Sequence, residues 1–129
     1  MPVAYEIDQA RGLIRTRCIG NVTLEEVLGH FPTLAQDPGC PARLDVLLDL
    51  SEMTAMPEPY QLREISDEIG RVSDRVRFDA CAIVAPSDVL YGLLRMFEVF
   101  AEKQFRTTCV FREIGEAEAW LLAELSPAT

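Results

Sequence analysis

Two short runs constrain this chain more than anything else in it. Residues 44–50 read LDVLLDL and residues 79–85 read DACAIVA, and neither leaves a continuous polar face. A strand wetted on one side alternates apolar with polar residues, so runs this apolar fit strands covered on both faces of a sheet. Helical spacing follows each run. Strands that alternate with helices predict a largely parallel sheet joined by right-handed crossovers.

The start of the chain departs from that alternation. Residues 3–8 and 13–19 flank Gln9-Ala10-Arg11-Gly12, a short connection closing on glycine. It predicts a hairpin with Gly12 in the left-handed region. The expected fold is therefore α/β: an N-terminal β-hairpin followed by alternating α and β, in a mixed, mostly parallel five-stranded sheet with about four helices. With 129 residues, the chain reads as a single domain over 1–125 and a flexible C-terminus over 126–129.

Local signals place the helices. Thr23-Leu24-Glu25-Glu26 has the spacing of a capping box, with Val22 and Val27 set as a hydrophobic staple, so the first helix begins at Leu24. Its inward positions are Leu24, Val27, Leu28, Phe31 and Leu34, and Pro32 is expected to kink or interrupt it near His30. Pro57 and Pro59 bound the start of a second helix, with Leu62, Ile65, Ile69, Val72 and Val76 inward and Asp67 paired to Arg71 on its wet face. Ser87 is placed to cap a third. A fourth opens at Gly115, with Ile114, Ala117, Leu121 and Leu125 inward and Trp120 on or beside that face.

Charge and composition narrow the function classes. Twelve basic and 21 acidic side chains leave a formal charge of -9, a field that repels phosphate backbones, so no nucleic-acid partner is expected. No run approaches the length of a membrane span, so no membrane insertion is expected, and the chain reads as cytoplasmic. Cys18, Cys40, Cys81 and Cys109 lack metal-binding or redox spacing, and His30 is the only histidine. With no nucleophile elbow, glycine-rich phosphate loop or paired carboxylates on a helix face, the sequence points to no enzyme, no catalytic residue, no metal and no cofactor.

The third helix, over residues 90–104, carries the most unusual pattern. Leu90, Leu93, Leu94, Phe97, Phe100 and Ala101 share one arc, and Gly92, Met96 and Val99 extend it along a flank. A helix covering one side of a sheet needs a narrower stripe. Either another element of the chain covers that flank, or Gly92, Met96 and Val99 form a self-association surface, most simply in a homodimer. Beside the arc runs a polar line of Tyr91, Arg95, Glu98 and Glu102. Either it is an exposed ion pair with a half-buried tyrosine, or Arg95 presents its planar donor fork to a carboxylate or a partner loop.

Several segments together resemble a known family. Residues 20–26 (GNVTLEE), residues 46–51 (VLLDLS), the Tyr91-Gly92-Leu93-Leu94-Arg95-Met96-Phe97-Glu98 helix, Val110-Phe111-Arg112 and Glu118-Ala119-Trp120-Leu121 are similar to the small bacterial STAS-like proteins of the SpoIIAA-like group. The resemblance covers nearly the whole chain and implies a sheet of about five strands. It also implies a non-catalytic interaction or regulatory module, self-associating or docking a protein. The better understood relatives are switched by phosphorylation of a serine just after a strand end. Here that place falls near Pro59, and Glu52 and Glu58 would repel a phosphate on Ser51 or Thr54, so no phosphoswitch is expected.

A more distant likeness of STAS-like domains to lipid-transfer folds implies an alternative, the binding of a small apolar or amphipathic ligand. In open α/β sheets such ligands sit beyond the carboxyl ends of strands. Asp49, Ser51, Ser87, Tyr91, Arg95 and Glu98 are the candidates there for a ligand or a partner.

Overall fold

A computed structural model describes residues 2–125. Among them the elements run β1 (Val3–Asp8), β2 (Leu13–Cys18), α1 (Leu24–Gln36), β3 (Arg43–Asp49), α2 (Pro59–Arg71), β4 (Arg77–Val84), α3 (Asp88–Phe100), β5 (Thr107–Phe111) and α4 (Ile114–Leu125). The five strands lie in one sheet in the order of the chain. β1 pairs antiparallel with β2, and every later neighbour is parallel. The expected α/β architecture, a hairpin followed by a mostly parallel sheet and four helices, is the one observed. Residues 126–129, read above as a flexible end, lie outside the described residues, as does the side chain of Leu125.

Strand alternation sorts side chains into two cores. Ile14, Cys18, Leu44, Leu50, Phe78, Cys81 and Ile83 face α1, α2 and α3, whereas Leu13, Leu47, Ala80, Ala82 and Val84 face α4. The small Ala80 and Ala82 let α4 lie close, and its Ala117 and Leu121 are buried there, with Trp120 tilted against Phe111 at 5.8 Å between ring centres. The two faces of β3 and β4 are thus both dry, as their apolar runs require.

The local signals mostly hold. Gly12 has φ +63° at the end of the hairpin turn. Thr23 and Glu26 close a reciprocal capping box on α1, and Ser87 accepts the Leu90 N–H at the start of α3. Four expectations need correction. Of the kink or interruption expected at Pro32, the interruption does not occur: α1 is continuous from Leu24 to Gln36, because proline removes only its own N–H and the surrounding turns keep theirs; Thr33 adds a hydroxyl bond to the Gly29 carbonyl at 3.0 Å. Val76 lies beyond α2, buried in the turn into β4, since Val72 already caps that helix. Arg71 reaches Glu68 one turn back at 2.5 Å rather than Asp67. Ile114, at the exposed first turn of α4, is not packed inward.

Candidate functional site

The helices above the larger core do not fill the space beneath them. A cavity of about 430 Å³ lies between the sheet and the inner sides of α1 and α2, reaching α3 at Leu94 and Phe97. Its floor follows from strand alternation: Ile14, Thr16 and Cys18 on β2, then Val46 and Leu48 on β3, all project to this face. Val27 and Phe31 of α1 and Leu62 and Ile65 of α2 supply the roof. One end is aromatic, where Phe31, Phe78 and Phe105 make successive ring contacts at 6.3 and 5.8 Å.

The mouth lies at the segment that follows β3. Met53, Ala55, Met56 and Pro57 line it opposite Asn21 and Thr23. This segment is tied down at one end: the Gly20 N–H bonds the Glu52 carbonyl at 2.9 Å and the Thr54 N–H returns to the Gly20 carbonyl at 2.9 Å. Gly20 has φ +72°, which a side chain would strain. Met56, half exposed at the rim, is an unbranched apolar side chain able to adjust to what passes it.

Few polar groups reach the cavity, and among the described residues no Asp, Glu, Lys or Arg lines it. His30 does, with its ring edge-on to Tyr5 at 5.3 Å and to Phe31 at 5.1 Å. Burial pushes its pKa down to about 4, so the imidazole is neutral at pH 7. No serine, cysteine or carboxylate hydrogen-bonds His30 among the described residues. Thr16 also lines the cavity and is 5% exposed. Tyr5 sits across from Thr16 in the β1–β2 pair, and its hydroxyl is taken by Asp37 at 2.6 Å, which pushes the tyrosine pKa up to about 12 and holds the carboxylate low. Burial raises the thiol pKa of Cys18 to about 11 and that of Cys81 further, so neither is a thiolate at neutral pH.

The six residues singled out in the sequence lie elsewhere, and none lines the cavity. Asp49 and Ser51 meet at the end of β3, where the carboxylate accepts the Ser51 N–H at 2.9 Å. The Ser87 hydroxyl is occupied in capping α3. Tyr91, Arg95 and Glu98 do come together, with Arg95 3.3 Å from Glu98 and 6.0 Å from the Tyr91 ring centre. Arg112, at the end of β5, lies closer over that ring at 4.4 Å and pairs with Asp88 at 2.6 Å. The line is therefore a surface cluster anchored by a residue the helical spacing could not reveal.

On the flank of α3, Gly92 is exposed, Met96 is 40% exposed and Val99 is 65% exposed; Val89, at 61%, extends the stripe. α4 cannot cover it, because α4 packs on the opposite face of the sheet. Among the described residues, no group of three or more His, Cys, Asp or Glu is placed to hold a metal ion, and no helix is long and apolar enough to cross a membrane.

The sequence reading missed the cavity, though one signal bore on it. Thr16 occupies an inward position between Ile14 and Cys18, where a buried strand ordinarily carries an apolar residue. In comparisons with known proteins, no family model and no curated protein matches the chain.

Proposed function

We propose that this chain is a non-catalytic binding domain for a small apolar or amphipathic molecule, held between the sheet and α1 and α2. The observation that carries the reading is the cavity itself. Its volume of about 430 Å³ falls within the range of ligand pockets, roughly 300–1,000 Å³. Protein interiors are otherwise close-packed, and apolar space left empty lowers stability. A mouth bordered by a methionine-bearing segment gives such a ligand a way in. The likeness to STAS-like domains, carried by the Tyr91–Glu98 helix and the residues around Trp120, agrees with a role that needs no chemistry. Free cysteines and an acidic composition suit a cytoplasmic setting.

Organic extraction of the purified protein followed by mass spectrometry tests the reading, together with titration of an apolar dye. A co-purifying apolar compound or saturable dye binding supports it, provided that Ile65→Trp, which puts an indole in the cavity, removes the binding. A protein with no extracted compound and no dye binding overturns it.

A second reading has its own observation, the uncovered stripe of Val89, Met96 and Val99 on α3. We infer that a second copy of the chain covers it, in a regulatory module of STAS-like type. Light scattering should give a dimer for the wild type and a monomer for Met96→Asp. A wild-type monomer at high concentration ends this reading.

A further inference from the structure

We propose that the cavity selects a neutral amphiphile with a hydroxyl group, a long-chain or ring alcohol, whose oxygen lies between Thr16 and His30. The inference rests on the ligand-binding reading above and specifies the chemistry of what is bound. Thr16 is 95% buried, lines the cavity, and has no hydrogen-bond partner for its hydroxyl among the described residues. The one fully enclosed side-chain N or O atom without a partner among the described residues is Asp45 Oδ2, so the Thr16 hydroxyl opens onto the cavity, where a ligand can supply the partner that a buried hydroxyl normally has. His30 is half-buried, neutral, on the cavity wall, and likewise without a hydrogen bond among the described residues.

The two belong to one patch of wall. Tyr5 is the cross-strand partner of Thr16, and the ring of Tyr5 touches His30 at 5.3 Å. The Tyr5 hydroxyl does not compete for a ligand, since it is bonded to Asp37. Thr16 and His30 are thus the polar pair beside Tyr5 that is left without partners among the described residues.

Their chemistry selects the ligand group. A threonine hydroxyl donates one hydrogen bond and accepts others, and a neutral imidazole donates at one nitrogen and accepts at the other. An alcohol matches this pair, donating to the imidazole and accepting from the threonine. A carboxylate or phosphate only accepts, and would be buried with no Lys or Arg on the wall, in a chain of net charge -9. A cationic amphiphile would find no Asp or Glu there.

Competition against a bound apolar dye tests this with decanol, chlorodecane and decanoate at neutral pH. Decanol should displace the dye about tenfold better than either of the others, as expected for two new hydrogen bonds. Thr16→Val should weaken decanol about fivefold and leave chlorodecane unchanged, whereas Thr16→Ser should restore decanol. Unchanged dye affinity in the variants checks that the cavity persists. Equal displacement by all three probes, or no loss in Thr16→Val, overturns the alcohol preference while ligand binding stands. Tighter binding of decanoate also overturns it. Failure of the dye and of every probe to bind overturns both.

Discussion

The buried carboxylate of Asp45 accepts the backbone N–H of Ala80 at 2.9 Å, across an irregularity in the parallel β3–β4 ladder. Leu44 pairs with Phe78 but Val46 pairs with Cys81, so both Asp79 and Ala80 stand opposite Asp45. This is a β-bulge, and the side chain of Asp45 supplies the acceptor that the ladder lacks there. The extra residue changes which face each later side chain meets. Because of it, Phe78 shares the cavity side with Cys81 and Ile83, while Ala80, Ala82 and Val84 meet α4.

Replacing Asp45 should therefore cost more than a lost surface charge. Asp45→Ala leaves the Ala80 N–H unsatisfied and removes one of two carboxylate partners of Arg43, whose guanidinium lies 3.4 Å from Asp45 and keeps its pair with Asp79. Urea denaturation should show a loss of about 2–3 kcal/mol. Asp45→Asn keeps an acceptor for Ala80 and should lose about 1 kcal/mol, helped by the absence of any partner for the second carboxylate oxygen among the described residues. Equal losses in the two variants would show that charge, not the bulge bond, is what matters at this position.

These features differ in how far the sequence could announce them. The caps at Thr23 and Ser87 and the turn at Gly12 depend on interactions within a few residues, so their residue types show directly. The width of the apolar arc on α3 was also visible, and its flank is indeed exposed. The bulge was not, because the run of residues 79–85 is apolar on both faces and a shift of one residue leaves no trace in the pattern. Nor was the cavity. Periodicity tells which face of a helix turns inward, but not whether the side chains opposite come far enough to touch it.

Pro32 gives the second test. The helix continues through it, so the cost of a missing N–H in a helix interior is borne in the folded state. Pro32 is exposed, and nothing packs tightly enough around it to demand the ring. Pro32→Ala should raise stability by about 1–2 kcal/mol, less than the full propensity difference because alanine also frees the unfolded chain. A loss of stability would mean that the proline fixes a bend on which the placement of His30 depends.

His30 makes stability depend on pH in a defined direction. Burial lowers its pKa from 6.5 to about 4, so between these values the unfolded chain binds a proton that the folded chain does not. Stability should be highest above pH 6.5 and fall as the pH drops towards 4, by about 2–3 kcal/mol in all. Asp37, with its pKa lowered by the Tyr5 hydroxyl, destabilises the fold only on further acidification, as it is protonated. In His30→Phe the melting temperature should change little between pH 7 and pH 5, while the wild type declines. Parallel profiles would place the imidazole in water rather than on the cavity wall.

The two faces of the sheet should respond oppositely to added volume. On the α4 side, Ala82 is fully buried among Ala80, Val84, Ala117 and Leu121, where extra methyl groups have no space. Ala82→Val should lose about 1–3 kcal/mol through overpacking. On the other side, Val27 of α1 borders the cavity, so a longer side chain can extend into open space. Val27→Leu should be neutral or stabilising by about 1 kcal/mol, since it buries another methylene group. The same variant should bind an apolar dye more weakly, because it occupies part of the same volume. A loss of stability in Val27→Leu comparable to that in Ala82→Val would mean that both cores are equally full and that no ligand space exists under α1.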